Sequence, residues 1–256
     1  MLQAVTSANL GGLPSLFAKL PGLHGCLQAA LEGAMGLVFA DSPEQPTMAL
    51  IKLDFYLLGG DAAAADAERT VRGFTLPASV IADTSWEPLL RRVWGDALLT
   101  RTRVAFGPGG WDRQRLRAFG DALPDGMTVR RIGSRDVRGF GGLAESLVYN
   151  FDSLDDFVER GVGYGIGHEG RIISGCSSFA ISSHSLEFEI QTHPSYQRRG
   201  FASATAAAMI EHCLDKGLEP CWDAHNNVSV ALATRLGFID PTPYTAYTLA
   251  PDALPL

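Results

Sequence analysis

The residues with the clearest chemical potential lie between positions 197 and 203, where two arginines and a glycine precede a run of small residues. A helix beginning there would present unpaired backbone N–H groups and a partial positive charge, and both attract phosphate. Gly200 has no Cβ, so the backbone can approach an anion closely. Arg198 and Arg199 can add positive charge. These residues predict a phosphate-binding turn, although an ordinary helix start with a surface arginine pair would explain them as well.

Two glutamates precede this turn, in a segment that alternates apolar and polar residues from Leu186 to Thr192. Side chains two positions apart in a strand share a face, so Glu187 and Glu189 are predicted to lie together on the polar face. A carboxylate there can take a proton from an attacking amine, through water if necessary. Two close carboxylates also raise each other's pKa, which suits a base. A solvated strand face is the competing interpretation.

The elements that position these residues follow from apolar periodicity and from turn residues. In the second half we predict strands at residues 127–132, 163–168, 172–181, 186–192, 219–224 and 244–249. Helices are predicted at residues 140–149, 154–160, 200–216 and 228–236. The first half also alternates strand and helix, so the fold class is α/β (α+β). Gly107-Pro108-Gly109-Gly110 and Pro124-Asp125-Gly126 mark a connection. We therefore predict an amino-terminal α/β region at residues 1–125 and a second domain at residues 126–256.

Composition argues against several classes of protein. The chain has 256 residues, of which only 19% are charged, and its net charge is −7. An acidic balance disfavours nucleic-acid binding, which needs a basic face. We find neither a signal-peptide pattern nor an apolar run of the ~18 residues that cross a bilayer, so we predict a cytoplasmic protein without a membrane partner. The four cysteines lack zinc-site spacing, so free thiols and no metal are expected.

Four alternating glycines, at positions 161, 163, 165 and 167, fall on or beside a predicted strand. Glycines on one face of a strand can leave room for a substrate, or they can mark a tolerated irregular strand. The sequence does not distinguish these two interpretations.

Two motifs resemble those of the GNAT acyltransferases. The pattern Q/R-x-x-G-x-G/A of that superfamily is found here from Gln197 to Ala202. Downstream, Asn226 precedes a helix that ends in Leu236-Gly237-Phe238, which matches the second motif. The stretch from Pro220 to Asn226 is similar to one subgroup, which includes the zwittermicin A resistance acetyltransferase. The resemblance covers about residues 127–249.

The resemblance implies a GNAT fold, in which a mixed central sheet flanked by helices is splayed between the strands at 186–192 and 219–224. Acetyl-CoA would enter that gap, its pantetheine amides pairing with main-chain groups of the first strand and its pyrophosphate lying on the turn. Asn226 would contact the pantetheine arm, cap the next helix, or do both. The implied cofactor-binding residues are Ile190, Thr192, Gln197, Arg198, Arg199, Gly200, Phe201, Ala202, Ser203 and Asn226.

The resemblance also implies an activity: direct transfer of an acetyl group from acetyl-CoA to a primary amine of a small molecule. Glu189 is favoured over Glu187 as the base because it is nearer the expected thioester, and the Ile190 N–H would stabilise the oxyanion. Many family members carry a tyrosine as general acid in the helix after the asparagine, but Ala233 stands there. Tyr247 is a candidate substitute for that acid, as are Ser229, Tyr244 and solvent.

Other interpretations stay open. An acyl-CoA-binding regulatory pseudoenzyme would keep the turn without turnover, and Ala233 is its best support. An acyltransferase using a longer acyl-CoA is a further alternative. The identity of the acceptor amine is not encoded in these motifs. Residues 1–125 could cover the acceptor groove, form a homodimer contact, or be a degenerate copy of the GNAT fold.

Overall fold

The computed structural model describes residues 2–6 and 11–249. The strands are β1 Gln3–Val5, β2 Leu37–Ala40, β3 Met48–Lys52, β4 Tyr56–Gly60, β5 Ala78–Ile81, β6 Leu98–Gly107, β7 Val129–Arg131, β8 Gly163–His168, β9 Arg171–Ile181, β10 Ser185–Thr192, β11 Glu219–Cys221, β12 Asp223–Ala224 and β13 Ile239–Leu249. The α-helices are α1 Leu13–Leu16, α2 His24–Leu31, α3 Ala67–Arg72, α4 Glu87–Trp94, α5 Arg113–Asp121, α6 Val137–Leu143, α7 Leu154–Arg160, α8 Phe201–Lys216 and α9 Asn227–Leu236.

The chain divides into two compact units, residues 1–105 with 242–256, and residues 106–241. This division differs from the single domain boundary predicted at 125/126. The segment from 106 to 125 groups with the second unit because α5 packs on α8. Two ion pairs join these helices, Arg113 to Asp215 at 2.6 Å and Arg117 to Glu211 at 3.0 Å.

The first unit is built on a sheet whose strands lie in the order β1-β2-β3-β4-β5-β13-β6. From β1 to β4, each strand pairs antiparallel with the next one in the chain, and β5 pairs with β4 in parallel. A parallel pair needs a crossover, which α3 supplies between β4 and β5. The core of this unit contains the fully buried side chains of Trp86, Leu90 and Tyr247.

The second unit contains a mixed sheet with the order β11-β10-β9-β8-β7. Strands β7 to β10 pair antiparallel, whereas β11 pairs with β10 in parallel. The register between β10 and β11 runs from Ser185 opposite Glu219 to Glu187 opposite Cys221. Within the described residues, the pairing of β10 with β11 ends at Glu187, and the two strands separate beyond that residue. The predicted mixed sheet, splayed at this point, is confirmed.

Aromatic side chains pack directly on the backbone of one face of this sheet. A Cβ on Gly175 of β9 would lie 2.4 Å from Cε2 of Phe140, and one on Gly163 of β8 would lie 3.0 Å from Cζ of Phe157. Both phenylalanines are fully buried, on α6 and α7. Gly163 of β8 therefore admits packed rings and does not leave room for a substrate. That sequence-based alternative is wrong at Gly163.

The other face carries α8, whose alanine-rich sequence favours helix and lets it lie close to the sheet. Cys213 and Met209 of this helix are fully buried. Among residues 2–6 and 11–249, no helix has the length and apolar character required to cross a membrane.

Candidate active site

The turn between β10 and α8 has two residues in the left-handed backbone region. Arg198 has φ 60° and Gly200 has φ 86°. Left-handed residues alternating along a turn direct successive N–H groups into a concavity that can bind an anion. Only glycine adopts this conformation without steric penalty, which explains Gly200, whose absent Cβ would meet nothing within 4 Å.

The first turn of α8 leaves its backbone donors open. Gly200 is the N-cap residue and offers no capping side chain. The first helical bond runs from the Ala204 N–H to the Gly200 carbonyl at 3.0 Å. The amides of Phe201, Ala202 and Ser203 precede that bond, so they are the orphan donors of the helix start. A sixteen-residue helix adds the positive end of its dipole at the same place.

Arg199 is held at this helix start by two aromatic rings. Its Cζ lies 5.5 Å from the ring centroid of Tyr196 and 5.2 Å from that of Phe201. Such cation–π contacts fix the guanidinium without neutralising it. Arg199 therefore keeps its charge available beside the turn.

The free edge of β10 lies beyond the point where β11 separates. The His193 N–H donates to the Ile173 carbonyl of β9 at 2.9 Å. Main-chain groups alternate in direction along a strand, so those of Ile190 and Thr192 point to the opposite edge. There the Thr192 carbonyl accepts a bond from Gln197 Nε2 at 3.3 Å. A ligand amide at this edge would have to displace or share that donor.

The two glutamates of β10 lie in different surroundings. Glu187 sits opposite Cys221, where β10 is still flanked by strands on both sides, and its exposed fraction is 3%. Glu189 lies beyond the end of that pairing and is half-buried. Accessibility to a substrate therefore favours Glu189.

Two side chains hold Glu189, and both donate to the same carboxylate oxygen. Ser146 Oγ lies 2.9 Å from Glu189 Oε1, and Gln191 Nε2 lies 2.9 Å from the same atom. Sequence reasoning missed both donors. The period-two pattern of β10 could have identified Gln191, because it shares a face with Glu189. Ser146 lies 43 residues earlier in the chain, and no local pattern indicates it.

Asn226 is the N-cap of α9. Its Oδ1 accepts a bond from the Ser229 N–H at 2.9 Å, so the predicted capping role is confirmed. Ser229 in turn accepts a bond at 3.1 Å from Nε1 of Trp222, whose buried indole packs against Phe188 and Phe238. Contact of Asn226 with a pantetheine arm stays a prediction.

The position of the family's usual acid and the proposed substitute Tyr247 are both buried. Ala233, which stands at the family's tyrosine position, is fully buried on α9. Tyr247 belongs to the first unit and is also fully buried, and its hydroxyl donates to Glu87 Oε2 at 3.2 Å. Burial, followed by the charge of Glu87, raises the pKa of Tyr247 to about 12. A hydroxyl buried and bonded in this way is unsuited to protonate a leaving thiolate.

Within residues 2–6 and 11–249, no group of three or more His, Cys, Asp and Glu side chains is placed to hold a metal ion.

Comparisons with known proteins agree with this geometry. The family model described as GNAT acetyltransferase matches residues 16–247. YdfB of Bacillus subtilis (strain 168), an uncharacterized N-acetyltransferase, is 29% identical over 96% of this chain and 98% of its own length. The crystal structure of a GCN5-related N-acetyltransferase-like protein from Streptococcus suis 89/1591 has a TM-score of 0.83 at 29% identity, covering 96% of this chain and all of the other.

A more distant structural neighbour is a tandem GNAT protein from the clavulanic acid biosynthesis pathway, with a TM-score of 0.55 and 11% identity over the whole of this chain. At that identity the likeness concerns the fold alone.

A mixed sheet that splays beside an open helix start, flanked by helices, is the fold of the GNAT acyltransferases. Since the family model covers most of its length, the chain belongs to the GNAT acetyltransferase family.

Proposed function

We propose that this chain transfers an acetyl group from acetyl-CoA to a primary amine of a small molecule, by direct attack of the amine on the thioester. The observation that carries the proposal is the left-handed turn at Arg198 and Gly200, which opens α8 beside the free edge of β10. Family membership supports an acyltransferase, and this turn supports coenzyme A as the carrier.

The residues present fit such a co-substrate. The orphan amides of Phe201, Ala202 and Ser203, together with Arg198 and Arg199, would hold the pyrophosphate. Main-chain groups of Ile190 and Thr192 would pair with the pantetheine amides, with Gln197 and Asn226 beside them. When bound, acetyl-CoA supplies an acetyl group already activated as a thioester.

The protein's own residues would handle the proton and the developing charge. Glu189 takes a proton from the acceptor ammonium, because it is the accessible carboxylate of β10. The Ile190 N–H, directed to the free edge, stabilises negative charge on the carbonyl oxygen. Neither Ala233 nor the buried Tyr247 offers an acid, so protonation of the leaving thiolate falls to solvent, with Ser229 and Tyr244 as the remaining side-chain candidates. A thiolate is a good leaving group because the pKa of its thiol is low, ordinarily about 8.5.

We further propose that the acceptor is a small amine such as an antibiotic, a polyamine or an amino acid. The antibiotic class is supported by the stretch from Pro220 to Asn226, which is similar to the subgroup that includes the zwittermicin A resistance acetyltransferase. These three classes make up the panel to test. A cytoplasmic location accords with acetyl-CoA as donor and is part of the same proposal.

The proposal is tested by measuring free thiol release from acetyl-CoA with this amine panel, and coenzyme A affinity by calorimetry. A Gly200→Val variant should bind coenzyme A roughly 10- to 100-fold more weakly, because charged hydrogen bonds from a distorted turn are lost. Gly217→Val is the matched control. Gly217 is left-handed too, at the other end of α8, and its absent Cβ also meets nothing within 4 Å.

The outcomes separate the alternatives. Unchanged coenzyme A affinity in Gly200→Val would contradict the binding site. Tight binding without thiol release for any amine would favour the regulatory pseudoenzyme. Release only with longer acyl-CoA donors would keep the enzyme and replace the acetyl group.

A further inference from the structure

We propose that Ser146 and Gln191 are positioning residues that hold the Glu189 carboxylate for deprotonation of the acceptor. The inference rests on the proposed function and names how its base is held. Both residues donate to Oε1 at 2.9 Å, as described above. No donor in the described part of the chain contacts Oε2, so one oxygen is anchored and the other is free for the acceptor.

The chemical identity of the donors matters for the charge of the site. A hydroxyl and an amide are neutral, so they fix the position of the carboxylate without pairing its negative charge, as a lysine or arginine partner would. The acceptor ammonium is then the cation that Oε2 meets. One N–H proton passes from the ammonium to Oε2, which leaves a neutral amine with a free electron pair and a neutral carboxylic acid.

Gln191 is placed by the strand itself. It lies two residues after Glu189 on β10, so the two side chains share a face. Its backbone partner across the sheet is Gly175 of β9. Strand pairing therefore fixes the separation between the amide and the carboxylate.

Ser146 is placed by a segment anchored on β9. It lies in the 3₁₀ turn Glu145–Leu147, and the Leu147 side chain has an exposed fraction of 1%. Further along, Asn150 Nδ2 donates to the Phe179 carbonyl at 3.0 Å. Leu147 and Asn150 thus hold the turn against the sheet at the level of Glu189.

Phe179 is the extra residue of a β-bulge. The register steps from Glu187 opposite Ala180 to Phe188 opposite Ser178, and it passes over Phe179. Bulged residues leave main-chain groups outside the ladder, and Asn150 satisfies one of them. The bulge therefore gives the segment that carries Ser146 a fixed attachment next to the site.

The test is a double-mutant cycle on kcat, with acetyl-CoA and the best amine of the panel. Ser146→Ala and Gln191→Met should each lower kcat roughly 3- to 10-fold, since each removes one neutral hydrogen bond, and the KM for acetyl-CoA should stay unchanged. In a Glu189→Gln background the same changes should have no further effect, because both residues act through the carboxylate. Ser146→Thr keeps the hydroxyl and should restore most of the activity.

Ser153→Ala is the matched control for a loss of stability alone. Ser153 caps α7 by accepting a bond from the Asp156 N–H at 3.1 Å and is exposed. Its removal should lower the melting temperature without changing kcat. Thermal melts and acetyl-CoA affinity show whether each variant is folded.

The outcomes distinguish a failure of this positioning role from a failure of the proposed function. If Glu189→Gln lowers kcat but Ser146→Ala and Gln191→Met do not, the positioning role is overturned and the base survives. Equal losses of kcat in the parent protein and in Glu189→Gln overturn it too, because residues with a merely structural role would lower kcat by the same factor whether or not the carboxylate is present. If Glu189→Gln leaves kcat unchanged, Glu189 is not the base and both assignments fall, while coenzyme A binding is judged separately on Gly200.

Discussion

Ser177 is a fully buried residue of β9 that lies directly opposite Glu189, and its Oγ has no hydrogen-bond partner within the described residues. A buried hydroxyl without a partner lowers stability by about 1–3 kcal/mol. Its neighbour Ser178 is also buried, but Ser178 Oγ accepts a bond from the Val162 N–H at 2.9 Å. The two adjacent serines therefore differ in whether the hydroxyl has a hydrogen-bond partner.

We expect Ser177→Ala to raise the free energy of unfolding by roughly 1 kcal/mol, because it removes an unsatisfied polar group. Ser178→Ala should lower it by about the same amount or more, because it leaves the Val162 N–H without an acceptor. Chemical denaturation of the two variants measures both effects. Equal destabilisation by both changes would mean that a bound water or ligand satisfies Ser177.

At the scale of single residues, the sequence predicted types and faces but not surroundings. Period two placed Glu187 and Glu189 on one polar face, and the same pattern included Gln191. What separates the two glutamates is the end of the β11 pairing after Glu187, which is a long-range property. The contact of Ser146 with Glu189 likewise depends on tertiary structure, so no local pattern could indicate it.

At the scale of elements, the close approach of α6 to the sheet depends on the absence of side chains on the strands beneath it. The Phe140 ring occupies the space where a Cβ on Gly175 would lie, at 2.4 Å from Cε2. Overpacking of this kind forces shifts in rotamers and backbone. The glycine in β9 is thus explained by packing.

Gly175→Ala should lower the free energy of unfolding by roughly 1–3 kcal/mol, since the new methyl group collides with Phe140. Adding Phe140→Leu should recover part of that loss. Gly139→Ala is a control of opposite sign. It lies on α6, where the nearest atom to a new Cβ is 3.8 Å away, and it should gain roughly 0.5–1 kcal/mol. A neutral Gly175→Ala variant would contradict the packing argument.

Elements with strong local signals were predicted closely. The helix predicted at 154–160 is α7, and that predicted at 200–216 begins one residue later as α8. The strand predicted at 219–224 is instead two short strands, β11 and β12. Between them the Trp222 carbonyl accepts a bond from the Phe106 N–H at 3.3 Å, a partner more than a hundred residues away. The interruption at Trp222 could be predicted only by knowing that distant partner.

At the scale of the whole molecule, each unit contains a buried ionisable side chain whose pKa is raised. Burial raises the pKa of the Cys213 thiol in the second unit from 9.0 to about 12. Burial and then Glu87 raise that of Tyr247 in the first unit from 10.0 to about 12. Both folded-state pKa values are raised, so the folded protein binds these protons more tightly than the unfolded chain does.

Stability should therefore be complete below pH 9 and should fall as the pH rises from 9 towards 12. Denaturant unfolding measured at intervals across that range, with Cys213→Ala and Tyr247→Phe, checks the sign. Each variant should have a shallower fall with pH than the parent protein, whatever its stability at neutral pH. A parent curve that stays flat would show that neither proton is held as described.

The predicted boundary at 125/126 and the division at 105/106 and 241/242 differ for a physical reason. Turn-rich segments mark connections, but membership of a unit depends on packing. The segment around α5 packs on α8, and residues 247–249 of β13 pair with β5. Neither association is local, so composition alone could not indicate it.

The position of β13 in the first sheet has a consequence for biosynthesis. This strand lies between β5 and β6, although it is the last strand among the residues that the structure describes. On the ribosome, everything from residue 106 to 241 emerges before that gap can be filled. The second unit can therefore fold while the first unit still lacks the strand between β5 and β6. A premature stop just before residue 242 would leave β5 and β6 without that shared neighbour.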